Sequence, residues 1–532
     1  MIRRYFATKD NTITNAFEED LATRGSGSNM GASDILEVFS IYGQASSASA
    51  ELSRVLIQFN VNDIIADRNT SKLAASGSVV WYLKMYDAPH SSTVPRDFKI
   101  AVLDISREWQ EGYGLDMEHY QDLTKGDIGS NWMSASNTEG WTKVGGDHHS
   151  SLPAVQTFET GLEDLTIDVS DFVERWVDSR RSNYGFLIKM SSSYEAQSSS
   201  SFGYYGTAGE EVTASLIHNA TGSTKSYYTK RFFGRDTEFF FKRPTLEARW
   251  DYSKRDDRGN FYYSSSLAPA SDNLNTIYLY NYVRGRLRDI PSIGSMTPAT
   301  NSGKIYISLL SGSSDNTAPF ESALRLSPDD KYVQTANPHV VTGGWVSTGI
   351  YSASFALTGT TSLTRVYDVW FSGSSQITAS THAALQFNTS SIDTTVLYTS
   401  DITENQNYVL SMPTLQDKYR QGETIKLRLY TRAKNWSPNI YSVAVDKSIP
   451  SLIIESASYQ IKRSVDDEIV VPYGTGSYYH TGLSYDSSGN YFDFDTSVLE
   501  KGYQYEIYFS IYSEDSTTYV EQPYSFKFKV SE

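Results

Sequence analysis

The densest groups of side chains that could do chemistry are two runs of acidic residues near the C-terminus. They are Asp466, Asp467 and Glu468 in "SVDDEIV", and Asp486, Asp493 and Asp495 in "YDSSGNYFDFD". A glycosidase needs two carboxyl groups that face a sugar, and Asp493 and Asp495, at i and i+2, would share one face of a strand. Asp486, Asn490 and Asp493 could instead hold Ca²⁺, which prefers oxygen ligands. Their spacing does not match an EF-hand loop, so we favour a hairpin turn with solvated carboxylates.

The histidines offer one further candidate metal site. Among the eight histidines only His148 and His149 are close together, and Asp147 precedes them. Adjacent residues on a strand point to opposite faces, so a shared metal would require a loop conformation. A solvated loop is the interpretation that we favour. The chain has no cysteine, which rules out thiol catalysis and thiolate zinc sites.

The sequence motifs of common enzymes are missing. No G-x-S-x-G, H-E-x-x-H or Walker motif occurs, and "GSGSNMG" lacks the lysine of a phosphate-binding loop. We therefore expect a protein that is not an enzyme and that uses no cofactor.

The composition indicates a β-protein with an acidic surface. The chain contains 39 tyrosines and 24 phenylalanines, and these residues suit a pleated, half-buried surface. The net charge of −16 disfavours nucleic acid as a partner, because that affinity depends on Lys and Arg contacts to phosphates. No run of 18 apolar residues predicts a membrane span. The N-terminus is typical of a strand, so no secretory leader is expected.

Strand-like runs bounded by Gly, Ser, Asn, Asp or Pro recur along the whole chain. This pattern predicts an all-β fold of tandem antiparallel β-sandwiches. We predict a first domain at 1–252, a polar linker at 253–275, and two immunoglobulin-like domains at 276–395 and 396–532.

One short helix is expected in the first domain, within "IDVSDFVERWVDSRR". Ser170 or Asp171 would cap it. Its apolar side chains recur at helical spacing and would share one face: Phe172, Val173, Trp176 and Val177.

Two segments of the C-terminal half resemble each other. In "GIYSASFALTGTTSLTRVYDVWFSG" and "LSYDSSGNYFDFDTSVLEKGYQYEIYFSI", Phe355 corresponds to Phe492, and Phe371 corresponds to Phe509. The shared pattern predicts a hairpin with alternating inward aromatic residues, which arose by internal duplication or by chance.

Seven aromatic residues are candidates for contacts with a glycan or another subunit: Trp109, Trp132, Trp141, Tyr227, Tyr228, Tyr478 and Tyr479. The tryptophans fall in one long loop region. A buried indole needs a partner for its N–H and often pins a loop to a sheet, so we favour packing over a sugar-stacking platform. The paired tyrosines lie in turn-like contexts, where a rigid ring with a polar tip suits recognition. Subunit contact and glycan contact both stay open for them.

The ordered motifs of roughly residues 5–250 resemble the DNRLRE family. They include "DNTITN", "ELSRVLIQFNV", "WYLKMY", "DISREWQEGYG" and "IDVSDFVERWVDSRRSNYGFLIK". The resemblance implies a jelly-roll domain similar to the carbohydrate-binding modules of polysaccharide-degrading and cell-surface proteins. Through "SYYTKRFFGRDTEFFFKRPTLEARWD" and "SIPSLIIESASYQIKR", the whole chain is also similar to virion structural proteins of contractile-tailed phages of marine cyanobacteria.

These resemblances imply a non-enzymatic structural component of a tailed bacteriophage virion, in the neck, the tail or the head exterior. Its partners would be other virion proteins and further copies of itself in a symmetric particle, with no nucleic acid and no membrane insertion. A virion protein leaves the host cytoplasm by assembly and lysis and therefore needs no export signal. The alternative is a host-recognition protein whose first domain binds surface glycan. A polysaccharide-degrading enzyme is the weakest interpretation.

Overall fold

The computed structural model describes residues 1–42, 50–90, 94–117, 129–149, 152–196, 219, 222–223, 226–262, 269–291, 305–311, 323–328, 339–357, 363, 365–372, 386–395, 408–434, 451–474, 479–513 and 516–531. Contacts divide the chain into two compact units, Ile2–Trp250 and Asp251–Glu532, and Met1 is grouped with the second. Strands dominate the described residues, which confirms the all-β prediction. Neither of the helices in these ranges is long and apolar enough to cross a membrane.

The first unit contains one branched antiparallel sheet. Its strands are β1 (Ile2–Thr14), β2 (Ile35–Tyr42), β3 (Ala50–Phe59), β4 (Val80–Met85), β5 (Phe98–Asp104), β6 (Ala154–Phe158), β7 (Leu165–Asp168), β8 (Phe186–Met190), β9 (Tyr227–Phe233) and β10 (Thr245–Arg249). The main path runs β6-β5-β8-β3-β1-β10-β4-β7, and β2 pairs with both β3 and β9.

Strand β1 connects the two halves of this sheet. Its first residues pair with β10 and its later ones with β3, and the register shifts at a bulge between Ala7 and Lys9. A bulge bends its strand, and the sheet curls until its edge strands β6 and β7 meet. The Gln156 amide joins them, since it donates to the Asp164 carbonyl at 2.8 Å and accepts the Thr166 N–H at 2.8 Å. The curled sheet encloses the core of the unit.

The predicted helix is present as α2, Ser170–Val177. It buries three of the four predicted side chains: Phe172, Val173 and Trp176. The predicted cap is wrong, because Val169 is the N-cap residue and the Asp168 carboxylate accepts the Ser170 N–H at 2.9 Å. The Ser170 hydroxyl accepts the Trp81 N–H at 2.9 Å instead, so it ties the helix to β4.

A second helix, α1 (Val61–Asn69), contradicts the expectation of one helix in this part of the chain. Asn60 caps it by accepting the Asn62 N–H at 3.1 Å. Ile64 is its buried residue, so the segment carries little of the apolar periodicity by which a helix is recognised in sequence.

The second unit begins with an eight-stranded sheet. Its strands are β11 (Phe261–Tyr262), β12 (Asn275–Tyr280), β15 (Ile305–Ser311), β16 (Leu326–Pro328), β17 (Val341–Ser347), β18 (Ile350–Leu357), β19 (Arg365–Ser372) and β20 (Gln386–Thr395). The order is β11-β20-β19-β15-β17-β18-β12, with β16 on β18. Between β12 and β15, β13 (Tyr282–Val283) and β14 (Arg286–Leu287) form a separate two-stranded ribbon.

The rest of the second unit is a sandwich of two sheets. One has the order β21-β23-β27-β26, and the other has β22-β30-β28-β24-β25 with β29 on β28. The strands are β21 (Tyr408–Ser411), β22 (Lys418–Arg420), β23 (Thr424–Ala433), β24 (Ala457–Arg463), β25 (Ile469–Val471), β26 (Ser484–Asp486), β27 (Gly489–Asp495), β28 (Gln504–Ser513), β29 (Thr518–Glu521) and β30 (Phe526–Ser531). Aromatic side chains join the sheets, since the Tyr459 and Phe492 rings stack with centroids 4.1 Å apart.

The two similar segments do not form the predicted hairpins. Strands β18 and β19 do not pair with each other, and β27 and β28 lie in different sheets. The alternating aromatic residues are nevertheless buried: Phe355, Trp370, Phe371, Phe492 and Phe509. The pattern therefore predicted burial but not the strand partner.

The predicted polar linker, residues 253–275, is folded in its described part. It carries a 3-10 turn at Asp257–Gly259, strand β11 and a second 3-10 turn at Ala270–Asp272. Asp256 and Asp257 are buried, which differs from the expectation of a solvated connection.

Candidate functional site

The three candidate tryptophans lie in the core of the first unit. Trp109, Trp132 and Trp141 are each at most 4% exposed and belong to one apolar cluster. The Trp109 indole donates to the Tyr184 carbonyl at 2.8 Å, and the Trp141 indole donates to the Asn131 carbonyl at 2.8 Å. These buried rings have no free face for a sugar, so the stacking hypothesis is wrong for them.

A buried ion cluster lies against Trp132. The Arg54 guanidinium is 5.3 Å from the centre of the Trp132 ring and 3.1 Å from the Glu195 carboxylate. Lys189 Nζ is 2.6 Å from the other Glu195 oxygen. Burial alone would raise the pKa of Glu195, but the two cations outweigh it and hold the pKa below its usual value. The Arg54 guanidinium also donates to the Gly145 carbonyl at 2.9 Å, so the cluster ties the tryptophan-bearing loop to the sheet.

Tyr227, on β9, is the exposed member among the described residues of the predicted set. Its side chain is 60% exposed, and its ring stacks on Tyr228 with centroids 4.8 Å apart. Tyr194 contacts Tyr228 edge-on at 5.2 Å, and Phe98 contacts it at 5.8 Å. A ring that is already held by its neighbours loses little conformational entropy when a partner stacks on it. Tyr227 therefore suits a flat partner such as a sugar ring or a side chain of another protein.

The second tyrosine pair is less accessible. Tyr479 is half-buried, and the Arg255 guanidinium lies 5.7 Å from its ring centre. Tyr478 lies outside the described residues.

A cleft of about 270 Å³ opens beside the bulge of β1. It is lined by Phe6, Ala7, Arg235, Asp236, Arg243 and Pro244. Both guanidinium groups already have partners, since Arg235 lies 3.4 Å from the Asp236 carboxylate and the Arg243 Nε–H donates to the Thr237 carbonyl at 3.1 Å. This cleft was not predicted from the sequence, because it combines β1 with residues more than 200 positions away. The alternation of arginines and phenylalanines in "RFFGRDTEFFFKRP" is the signal that could have indicated it.

Behind the cleft, a buried carboxyl group contacts the Arg235 backbone. Asp10 Oδ2 accepts the Arg235 N–H at 2.6 Å, and the Asp10 N–H donates to Glu111 at 2.8 Å. Burial raises the pKa of Asp10 to about 7, although the Arg235 N–H opposes the shift. The Arg235 guanidinium is 3.2 Å from Glu111. The cleft wall is therefore fixed by an acid–base network within the first unit.

The candidate metal ligands do not come together. The Arg428 guanidinium holds the Asp486 carboxylate at 2.7 and 3.0 Å. The Asn490 amide is engaged with the backbone of Ile454, with which it exchanges two hydrogen bonds of 2.7 and 2.8 Å. The proposed set of Asp486, Asn490 and Asp493 is therefore not a calcium site here. In the described ranges, no three His, Asp or Glu side chains are grouped as a metal site would require.

Asp486 instead belongs to the turn of the β26–β27 hairpin. Its carboxylate accepts the Ser488 N–H at 2.8 Å. The favoured interpretation of a hairpin turn therefore fits this residue, but its carboxylate is ion-paired with Arg428 and 19% exposed rather than solvated.

A polar site of the second unit lies in the segment that was predicted to be a linker. The Asp256 N–H donates to the Tyr485 carbonyl at 3.1 Å, and the Tyr485 N–H donates to the Lys254 carbonyl at 3.0 Å. The Tyr485 hydroxyl donates to Asp257 at 2.7 Å. The segment thus forms an isolated parallel bridge, Arg255 to Tyr485, beside β26 of the C-terminal sandwich.

The same segment also enters the eight-stranded sheet. Arg258 holds the fully buried Asp368 of β19 through two bonds of 2.7 Å, and the Trp370 indole donates to Asp368 at 2.9 Å. Burial raises the pKa of Asp256 and of Asp257 to about 6, against the opposing effect of their hydrogen-bond donors. Buried polar side chains therefore clamp the eight-stranded sheet to the C-terminal sandwich.

No protein-family model and no curated protein matches this chain. Among solved structures, the chain is similar to the fibronectin(III)-like modules of CbhA from Clostridium thermocellum, with 11% identity over 52% of this chain and 90% of that chain, and a TM-score of 0.14. Two structures of Escherichia coli alpha-2-macroglobulin also match. The native form has 8% identity over 89% of this chain and 21% of that chain, and the trypsin-activated form has 9% identity over 93% and 30%. Both have a TM-score of 0.14.

Proposed function

We propose that the protein is a non-enzymatic structural component of a tailed bacteriophage particle, placed in the neck, the tail or the head exterior. The observation that carries this proposal is the clamp made by residues 254–262. A connection of this kind couples neighbouring β-domains, because one segment forms backbone hydrogen bonds with the C-terminal sandwich and a bidentate ion pair with the eight-stranded sheet. Resistance to separation is what a connecting or decorating piece of a particle requires.

The exposed aromatic side chains support the same role. Tyr227 is 60% exposed, and Tyr282 of the two-stranded ribbon is 62% exposed. Tyrosine is enriched in protein–protein interfaces because its ring adds rigid contact area with a polar tip. In this proposal such side chains contact other virion proteins and further copies of the chain, and the protein acts passively.

Mass spectrometry of purified particles tests this proposal. The protein should remain with the particles through density-gradient purification, at a fixed copy number relative to the capsid protein. Loss of the protein during purification, or its presence only in the lysate, would contradict a structural role. A map of the intact particle would then show its location and symmetry.

The second candidate function is recognition of a host-surface glycan by the first unit. The stacked pair Tyr227 and Tyr228 favours it, because sugar rings bind to aromatic faces through their apolar side. A glycan array probed with the full chain tests this candidate, and the absence of binding to any host polysaccharide would exclude it.

A further inference from the structure

The two-stranded ribbon between β12 and β15 carries a concentrated positive charge on an acidic protein. Residues 281–288, "NYVRGRLR", form this feature, which we call the basic hairpin. Tyr282 pairs with Leu287, and Val283 pairs with Arg286. Arg284 and Gly285 form the turn, both with positive φ (52° and 75°), as a type I′ hairpin turn requires.

The base of the basic hairpin is firmly attached. The Arg288 N–H donates to the Asn281 carbonyl at 3.0 Å, and the Asn281 amide donates to the Arg288 carbonyl at 2.6 Å. The next residue, Asp289, accepts the Trp345 indole N–H at 2.9 Å and the Gly349 N–H at 2.7 Å. The Asp289 carboxylate, next to the hairpin in the sequence, is thus engaged by these two donors. The bonds at the base hold the ribbon in one conformation, so binding of a partner costs little conformational entropy.

The side chains of the basic hairpin are left open. Arg284, Arg286 and Arg288 are exposed, and none of them forms an ion pair with any residue that the structure describes. Tyr282 is 62% exposed and Val283 is 50% exposed. Tyrosine and arginine dominate the energetic centres of protein interfaces, and guanidinium groups bind carboxylates in a bidentate manner.

We propose that the basic hairpin docks onto a carboxylate-rich surface of a second copy of this chain. Charge complementarity supports this partner, since the chain has 62 acidic against 46 basic residues, while the hairpin presents three arginines that form no ion pair within the described part of the chain. Contact between a basic ribbon on one copy and an acidic surface on the next is heterologous, because the two surfaces differ. Such contacts repeat head to tail and build a ring or an open array. The inference rests on the proposed structural role only for its biological setting.

Sedimentation velocity of the purified full chain tests the docking without any particle. At about 50 mM NaCl the wild type should form species larger than a dimer, and the apparent dissociation constant should rise at least about tenfold at about 500 mM NaCl. The combined variant Arg284→Glu, Arg286→Glu and Arg288→Glu should stay monomeric at low salt. The combined control Lys99→Glu, Lys143→Glu and Lys418→Glu reverses three exposed charges elsewhere and should associate as the wild type does.

Three results would overturn the docking proposal: a monomeric wild type at low salt, unchanged association of the hairpin variant, or an equal loss in the control. Circular dichroism of each variant checks that the sheets are intact. Sedimentation uses the isolated chain, so a monomeric wild type would refute the docking proposal without refuting the proposed role in a particle. Mass spectrometry of purified particles tests that role separately.

Discussion

Arg258 and Asp368 are 110 positions apart in the chain and meet in a bidentate ion pair in which both N–O distances are 2.7 Å. Asp368 is fully buried in the eight-stranded sheet. Arg258 comes from a charged run that also pairs with the C-terminal sandwich. This ion pair therefore anchors a polar, charged segment, whose sequence is typical of a linker, in the core of the second unit.

Replacement of Arg258 by alanine should lower the free energy of unfolding of the second unit by about 3 kcal/mol, because it leaves Asp368 buried without a counter-charge. Arg365→Ala removes the ion pair between Arg365, on the same strand as Asp368, and Asp393, whose side chain is largely exposed, so the loss of stability should be much smaller. Urea unfolding with hydrogen exchange of β19 peptides measures both. Equal effects in the two variants would refute the clamp.

Asp256→Asn should change stability in a pH-dependent manner. Burial raises the folded-state pKa of Asp256 from 3.8 to about 6, so its contribution to stability is present at low pH and lost as the pH rises through that range. The variant should therefore gain stability relative to wild type between about pH 4 and pH 7, by on the order of 2 kcal/mol. Urea unfolding at several pH values measures the difference. Asp417→Asn, at an exposed position, is the control, and a pH-independent difference for Asp256→Asn would contradict the prediction.

Glu247→Gln should show the opposite pH dependence in the first unit. Glu247 is fully buried, with Arg4 at 2.7 Å and Arg249 at 2.6 Å. Burial alone would raise the pKa of Glu247, but Arg4, Lys84 and Arg249 hold it far below its usual value. The variant should have a free energy of unfolding about 3 kcal/mol lower than that of the wild type at pH 7. This difference should become smaller below about pH 4.5, because Glu247 of the unfolded wild type binds a proton there.

Thermal and urea unfolding of the first unit across pH 3–7 measure this difference. Glu139→Gln is the matched control, because Glu139 pairs with Arg107 at the surface and its side chain is 69% exposed. If the stability difference between the wild type and Glu247→Gln increased as the pH fell, Glu247 would not be ionised in the folded protein.

Tyr227→Ser tests the glycan candidate directly. If a glycan stacks on this ring, the variant should lose at least about tenfold in affinity, which corresponds to the roughly 1.4 kcal/mol of one aromatic stacking contact. The melting temperature should hardly change, because the ring is exposed. Tyr113→Ser, at a position 72% exposed in the same unit, should bind as the wild type does. Identical losses in both variants would argue for a non-specific surface effect.

The strands were largely predictable because their signal is local. Strand β4 alternates half-buried and buried residues from Val80 to Met85, as its period-2 pattern requires. Helix α2 was found from the spacing of Phe172, Val173 and Trp176. Helix α1 was missed because it buries little more than Ile64, and weak periodicity leaves no signal in the sequence.

The candidate sites were less predictable, because exposure is not encoded in residue type. Trp109 and Tyr227 are both aromatic residues in turn-rich sequence, yet one is 1% exposed and the other 60%. The tryptophan became core because β-strands from distant parts of the chain closed around it. The tyrosine stayed outside at the first residue of β9, a strand that branches from the main path of the sheet through β2.

The amino-acid sequence by itself determined the all-β class, the acidic surface and the position of most strands, since alternation and composition act over a few residues. Only the tertiary structure decided which charged side chains are solvated and which are buried in ion pairs or hydrogen bonds. Asp256, Asp257 and Arg258 stand in a polar run typical of a surface linker, but their partners Asp368 and Tyr485 come from distant strands. A buried pair exists only when the fold brings both charges together and excludes water, and neither condition is written in the local sequence.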